Sequence, residues 1–501
     1  MTRSATVAYD RSIAVAPVSG LGPGILVVQI GFLLATLVLV QSPINFLWNE
    51  REAIHPYCVL ILLHAGWVFW SWKRLRGTLF DPYALVFLSA LLFNAGQPLL
   101  EVFGLNEDGL LGGQFDSALL VRVLRLVLGG FVGLHCGAVL AIYRSREERR
   151  QTAPAELPAR AVAVRAVAWF LFAVSAVPFA LQLKDIFWMV FSGGYFALFE
   201  ADYGTAGLAQ ARAIIAGFAV PGAFLFLAGG QERRLEVRIA AAVLLASAGI
   251  SLFVGLRGGA VVLLAAAAWL WDRCGRRLPR SFLAVVGAVL IIAVFPLVRE
   301  TRMTPGKERA SVSYLAKSYS EIQNPFVSSV SEMGKSMMTI AYTLELVPQE
   351  RDYDNGGTYA YGLLTVIPSL FWDKHPVAVH GVPSYWLIEA VDPYVAAHGG
   401  GIGYSFIAEG FLNFGPLGPP LVSLLMGYLL IRFCLWAERG TAARLAVVAS
   451  FLPHLLFSVR GDFSDLPRAL VWYGLGPYAA CMLLERALRN REMQTTHFST
   501  R

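Results

Sequence analysis

Cysteine is scarce in this chain: its 501 residues include five, Cys58, Cys136, Cys274, Cys434 and Cys481, and none falls in the long segment between Arg299 and Gly401. That argues against a disulfide framework and against a cysteine-ligated metal cluster. Charge is scarce too. Charged residues make up 15% of the chain against 56% hydrophobic, and the mean hydropathy is +0.58. A soluble core cannot bury that much apolar surface, so the chain reads as a polytopic membrane protein. The formal charge of +7 forms no continuous patch, since the basic residues alternate with apolar runs, and nucleic acid is not implied. Metal-binding spacings such as Asp-x-Asp or His-Glu-x-x-His are missing, as are a P-loop and a dinucleotide fingerprint. No metal and no cofactor are therefore expected. No small-residue cleavage site follows the first apolar run, Ile25 to Val40, which Arg3 and Arg11 precede. It reads as an uncleaved first span. Nor is there a convincing internal repeat, which counts against a transporter built from inverted halves.

What is present is a series of apolar runs. At about 20 residues per crossing, spans fall near 21–41, 56–72, 82–101, 120–143, 163–183, 210–229, 238–256, 258–272, 281–299, 404–434, 444–460 and 466–485. The expected fold is all-α, with about twelve transmembrane helices. Aromatic residues, 12% of the chain, cluster near the ends of these runs, at headgroup level. The connectors sort by charge. Lys73/Arg74/Arg76, Arg144 to Arg150, Arg233/Arg234/Arg238, Arg273 to Arg280, Arg439/Arg444 and Arg486/Arg489/Arg491 fall on alternate sides, which the positive-inside rule makes cytoplasmic. The acidic connector with Glu101, Glu107, Asp108 and Asp116 falls on the other side, together with the long excursion. Both termini are thus expected inside, with spans 1 to 9 over 1–299, a large outer loop over 300–403, and spans 10 to 12 with a cytoplasmic tail over 404–501.

Within the excursion, Ser329-Val-Ser-Glu332 matches a capping box opening an apolar helix through Leu346. Asp354-Asn-Gly-Gly357 reads as a turn. The stretch Tyr361 to Trp372 is apolar but too short to cross and is interrupted by Pro368, so it reads as interfacial or re-entrant.

Polar chemistry survives in such a chain only where it is needed. Arg257, in the tight hairpin Phe253 to Ala260, falls below the outer surface when a full crossing is counted back from Asp272. It either snorkels to cap the hairpin or faces an anion, and flanking glycines leave its guanidinium accessible. Arg299, Glu300 and Arg302 follow the ninth span, and Arg460, Asp462, Asp465 and Arg468 surround the last outer connection. Each alone reads as an interface anchor or an ion pair. Together with Arg257 they gather guanidinium groups, the side chain best matched to phosphate or pyrophosphate, at one leaflet. In the re-entry, Gly399, Gly400, Gly401 and Gly403 permit close backbone approach just before a helix N-terminus that favours anions. Ser405, Glu409 and Asn413 then recur every fourth residue as a polar stripe. Glu409 either pairs with an arginine or acts as a base, and His398 and His380 are further candidates for proton transfer.

The segments Gly-Leu-Arg257-Gly-Gly, Asn355-Gly-Gly-Thr-Tyr359, Ile367-Pro-Ser-Leu-Phe-Trp372-Asp-Lys374 and Gly399-Gly-Gly-Ile-Gly-Tyr-Ser-Phe-Ile-Ala-Glu409-Gly-Phe-Leu-Asn-Phe-Gly415 resemble the Wzy-type O-antigen polymerases, and within them the oligosaccharide repeat unit polymerases. The resemblance implies a GT-C-like membrane glycosyltransferase of the inner membrane, joining undecaprenyl-pyrophosphate-linked repeat units on the periplasmic side into O-antigen, capsule or exopolysaccharide. Donor and acceptor would both be lipid-linked glycans, with a chain-length regulator as a protein partner. The residues fit that chemistry: Arg257, Arg299 and Arg460, with the backbone at Gly400 and Gly401, as pyrophosphate ligands, and Glu409, His398 or Asp462 as the base. An O-antigen ligase sharing the donor is the near alternative. A flippase or transporter of lipid-linked glycan is the distant one, and it predicts charge along the full depth of the bundle.

Overall fold

The computed structural model describes residues 22–42, 49–145, 158–195, 197–200, 207–229, 233–304, 309 and 311–499. The expectations resting on Arg3, Arg11 and the basic residues 146–150 lie outside these. Helices make up nearly all of the described chain, and no strand occurs among the described residues. Nine of the helices there are long and apolar enough to cross a membrane, so the chain is an all-helical, multi-pass membrane protein.

The centre is α4 (Ser117–Arg144). Its apolar residues run all the way round, as a helix needs when every face meets another helix rather than water. Glycines explain how close those neighbours come. A Cβ on Gly133 or Gly137 would collide with the carbonyls of Pro420 and Leu424, and one on Gly427 with that of Leu134. This small-xxx-small seam brings the backbones of α4 and a later helix, Gly418–Glu438, into contact. Around it lie α1 (Gly22–Gln41), α2 (Glu50–Arg76) and α3 (Pro82–Val102). Gly77, in the left-handed conformation, stops α2. Asp81 then opens α3 by accepting the Ala84 N–H at 2.9 Å.

A second group packs beside this one: α5 (Pro158–Gly193), α6 (Gly207–Gly217), α7 (Ala219–Gly229), α8 (Arg234–Val254) and α9 (Arg257–Arg273). Next, α10 (Arg280–Val289) has no buried residue, which suits a helix facing lipid. A π-turn, Leu290–Val294, joins it to α11 (Phe295–Thr301). The outer segment folds into short helices, among them α12 (Pro325–Gly334), α13 (Met337–Leu346), α14 (Gly357–Leu363), α15 (Pro383–Val391) and α16 (Pro393–Ala397). The chain finishes with α17 (Phe406–Phe414), α18 (Gly418–Glu438), α19 (Ala442–Ser458), α20 (Asp465–Ala469) and α21 (Gly476–Ser499).

Two expectations are corrected. The run 404–434 is not one straight crossing. At Gly415 the backbone turns with φ +61°, and α17 folds back along α18. A Cβ on Gly410 would sit 3.0 Å from the Pro419 nitrogen, while Gly130 of α4 lies close to both Ile407 and Ser423. So α17 is an antiparallel half-helix, and α18 makes the crossing. The supposed capping box is also absent. Asn324 caps α12, accepting the Val327 N–H at 3.2 Å with Pro325 at the first helical position, so the helix starts four residues before Ser329. It breaks at Lys335 and Ser336 before α13 begins. Other expectations hold. Asp354 to Gly357 is a turn, with Asn355 and Gly356 at positive φ, and 361–372 is a chain of short helical turns, not a crossing.

The basic connectors converge on one end of the bundle. Arg76 and Arg273 both pair with Glu438, the latter at 3.0 Å. Arg160 pairs with Glu485, Arg165 with Glu236, and Arg439 donates to the Ser145 carbonyl at 3.1 Å. Arg257, Arg299, Arg302 and the 460–465 connection occupy the other end. The five cysteines are free and buried.

Candidate active site

At that second end, Gly255 closes α8 with φ +98° and Arg257 begins α9. Its guanidinium donates to the Phe295 carbonyl at 2.7 Å, lies over the Phe295 ring, and pairs with Glu332. It is not free, as the sequence reading had it: its side chain is 12% exposed. Arg299 approaches the same carboxylate at 3.7 Å while donating to the Ser328 hydroxyl at 2.8 Å. Arg302 reaches its other oxygen at 3.4 Å and lies over Tyr195. Three guanidinium groups thus share one carboxylate, and those of Arg299 and Arg302 are about a third open.

Two more arginines add positive charge. The Arg460 guanidinium lies over Phe93 and makes no hydrogen bond or ion pair among the described residues. Burial pushes its guanidinium below the ordinary arginine value, and Glu332 only partly offsets that. Gly403, at φ +74°, lets the chain run close to Arg460: a Cβ there would sit 3.0 Å from the Arg460 carbonyl, which accepts the Tyr404 N–H at 3.2 Å. Arg309 is buried and donates to the Phe253 carbonyl at 2.8 Å, with its Nε and Nη2 unpartnered among the described residues.

Next to this cluster is a cavity of about 720 Å³ between α5, α6, α7, α9, α19 and α20, well within the size range of small-molecule sites. Its polar wall carries Gln182, Gln210, His454, Asp462, Asp465 and Arg468, and the rest is largely apolar. The arginine cluster and the cavity share two stretches of chain. Gly259 lines the cavity two residues after Arg257, and Asp462 does so two residues after Arg460. Outer-segment residues bridge its lining. Gln210 donates to the Ser369 hydroxyl at 2.9 Å and Trp472 to the Val366 carbonyl at 2.9 Å. Asp462 is fixed by Ser384 at the start of α15, whose N–H and hydroxyl donate at 3.1 and 2.6 Å. Burial pushes the Asp462 carboxyl up to about 6, against the Ser384 hydrogen bonds and with Asp465 adding to the rise.

The polar stripe on α17 faces inward. Ser405 donates to Asn94 at 2.6 Å and accepts the Ile407 N–H at 3.1 Å. The helix N-terminus expected to hold an anion is therefore capped by its own serine. Glu409 is 2% exposed. One of its oxygens accepts the Phe463 N–H at 2.8 Å. Asn413 donates to Thr358 at 2.8 Å and accepts from the Gly356 N–H at 2.9 Å, docking the 354–358 turn on α17. Glu409 pairs with no arginine, and it does not line the cavity.

The remaining candidates lie apart. His398 is exposed, bonds the Tyr394 carbonyl at 2.8 Å, and is not part of the cavity lining. Gly400 closes the end of α16 by donating to the Val395 carbonyl at 2.9 Å, and Gly401 is exposed. His380 bonds Asp354 at 2.9 Å and stacks on Tyr361. So Arg257, Arg299, Arg460 and Asp462 come together, with Glu409 one hydrogen bond behind, whereas His398, Gly400 and Gly401 do not join them. Sequence reasoning missed Glu332, Arg309, Ser384 and the two cavity glutamines. Only Glu332 carried a visible signal, and its Ser-x-x-Glu spacing pointed to a cap instead.

Compared with known families, residues 25–491 match the family model described as O-antigen polysaccharide polymerase Wzy. No curated protein and no solved structure matches the chain.

Proposed function

Because this chain belongs to the O-antigen polysaccharide polymerase Wzy family, a membership that speaks for repeat-unit polymerisation over ligation or flipping, we propose that its outer end is the active site of a membrane glycosyltransferase. It takes two undecaprenyl-pyrophosphate-linked glycans as substrates. A hydroxyl of the incoming repeat unit attacks the anomeric carbon of the growing glycan, and a C–O bond forms there. The bond from that carbon to the carrier's pyrophosphate breaks, and the leaving pyrophosphate keeps the electron pair. The acceptor's proton passes to a carboxylate.

The observation that carries this reading is the excess of guanidinium charge beside a cavity. Arg257, Arg299, Arg302, Arg309 and Arg460 stand against Glu332. Such a set serves a departing pyrophosphate, whose charge grows as the bond breaks. Asp462 is the base: it lines the cavity, is held in place by Ser384, and burial pushes its carboxyl up to about 6. Glu409 is a positioning residue. It holds the Phe463 backbone, and through it the 460–462 connection that carries both Arg460 and Asp462.

In this reading α6 and α7 together make one crossing, as do α10 and α11, and α20 with α21. The helices then cross twelve times in a GT-C-like arrangement, with α17 re-entrant. Both termini and the basic end are cytoplasmic, and residues 300–403 are periplasmic at the inner membrane. A chain-length regulator would meet the periplasmic segment. Reconstitution tests the activity: purified protein with lipid-linked repeat units should yield a ladder of longer glycans and free carrier pyrophosphate. Unchanged single units would refute it.

A further inference from the structure

Glu332 has a peculiar position for a residue of a cation site. It places a carboxylate where the pyrophosphate reading, on which this inference rests, requires a phosphate. Its oxygens draw in Arg257 from the start of α9, and Arg299 and Arg302 from α11 and its C-cap. The helix bearing it is fixed from several sides. A Cβ on Gly334 would sit 2.6 Å from the Gln97 nitrogen, so α12 and α3 touch backbone to backbone. Gln97 also donates to the Ser331 carbonyl at 3.1 Å, and Ser329 donates to the Ile291 carbonyl, at the π-turn, at 2.7 Å. The helix cannot move away easily, but the glutamate side chain has three rotatable bonds, and the cluster is partly open to solvent.

We infer that Glu332 is a resident counter-ion of the pyrophosphate site. Its carboxylate keeps the guanidinium groups converged against their mutual repulsion, and it rotates aside when a phosphate group of the lipid-linked substrate arrives. The substrate's pyrophosphate diester, with one negative charge on each of its two phosphates, competes with a single carboxylate for the same fork-shaped donors. Glu332 therefore sets how tightly the site holds its leaving group. Without it, the carrier pyrophosphate would bind the bare cluster more strongly and leave more slowly.

The test uses the purified full-length protein in lipid nanodiscs and inorganic pyrophosphate as the probe, measuring both direct binding and inhibition of chain extension. Glu332→Gln keeps the side chain's shape and removes its charge. It should lower the half-saturating pyrophosphate concentration by about tenfold, the usual size of such a coupling. Glu332→Asp, which keeps the charge but withdraws it by one methylene, should shift binding in the same direction and serves if the glutamine variant does not accumulate. Pyrophosphate binding that is unchanged or weaker in a folded Glu332 variant, while the wild type binds, would overturn the counter-ion role alone. A wild type that extends glycan yet binds no pyrophosphate, and whose Arg257→Ala variant behaves identically, would overturn the arginine site itself.

Discussion

At the scale of single residues, the arginines divide by what they already hold. Arg257 is engaged by Glu332 and the Phe295 carbonyl. Arg257→Ala should therefore lose chain extension and also lower thermal stability, by about 2 kcal/mol for a mostly buried pair. The Arg460 guanidinium lies over Phe93 and makes no hydrogen bond or ion pair among the described residues, so Arg460→Ala should abolish extension with little change in melting temperature. Arg460→Lys should recover little, because a point charge lacks the planar fork. Asp462 gives a pH signature. As the base it must be ionised, so extension should fall as pH drops through about 6. Its stability effect runs the other way. The carboxyl is raised from 3.8 unfolded to about 6 folded, so its contribution is complete below about 4 and is lost as pH rises through about 6. Asp462→Asn should remove both trends, as rate profiles and melts across pH would show. The arginines and aspartate were legible in the sequence because charge at a span end stands out against apolar surroundings. Glu332 was not, because a carboxylate three residues after a serine fits a local cap as well as a distant ion pair.

At the scale of elements, the α17 half-helix decides how Glu409 is read. The sequence showed the stripe of Ser405, Glu409 and Asn413 correctly, since spacing by four sets the face of a helix. It did not show which groups that face meets, Asn94, the Phe463 N–H and Thr358, because that depends on the turn at Gly415 and on chain segments far away in sequence. If Glu409 positions the 460–463 connection, Glu409→Gln retains an oxygen to accept the Phe463 N–H and should keep most of the extension rate, whereas Glu409→Ala should lose it. Equal loss in both would instead mark the carboxylate as the base. The glycine seam makes a structural prediction. Gly133→Val and Gly137→Val drive a side chain into the backbone of α18, and folded protein should fall sharply in the membrane fraction. Gly66→Ala, with open space around it, should accumulate normally.

At the scale of the whole molecule, hydropathy alone revealed the helical crossings, because a span has to be apolar along its full length. The alternation of basic connectors likewise anticipated the gathering of Arg76, Arg273 and Arg439 at one end of the bundle. What hydropathy left hidden is the cavity, since it arises where six helices meet and no single stretch encodes it. The proposed function puts chain lengthening at the opposite end, where Arg257, Arg299 and Arg302 converge on Glu332. The most direct measurement of that claim is reconstitution of the full-length protein and its Arg460→Ala and Asp462→Asn variants with purified lipid-linked repeat units, followed by separation of the glycans by length. The account predicts a ladder and released carrier pyrophosphate for the wild type, and single repeat units for both variants. Ladders of normal length from the two variants would contradict it.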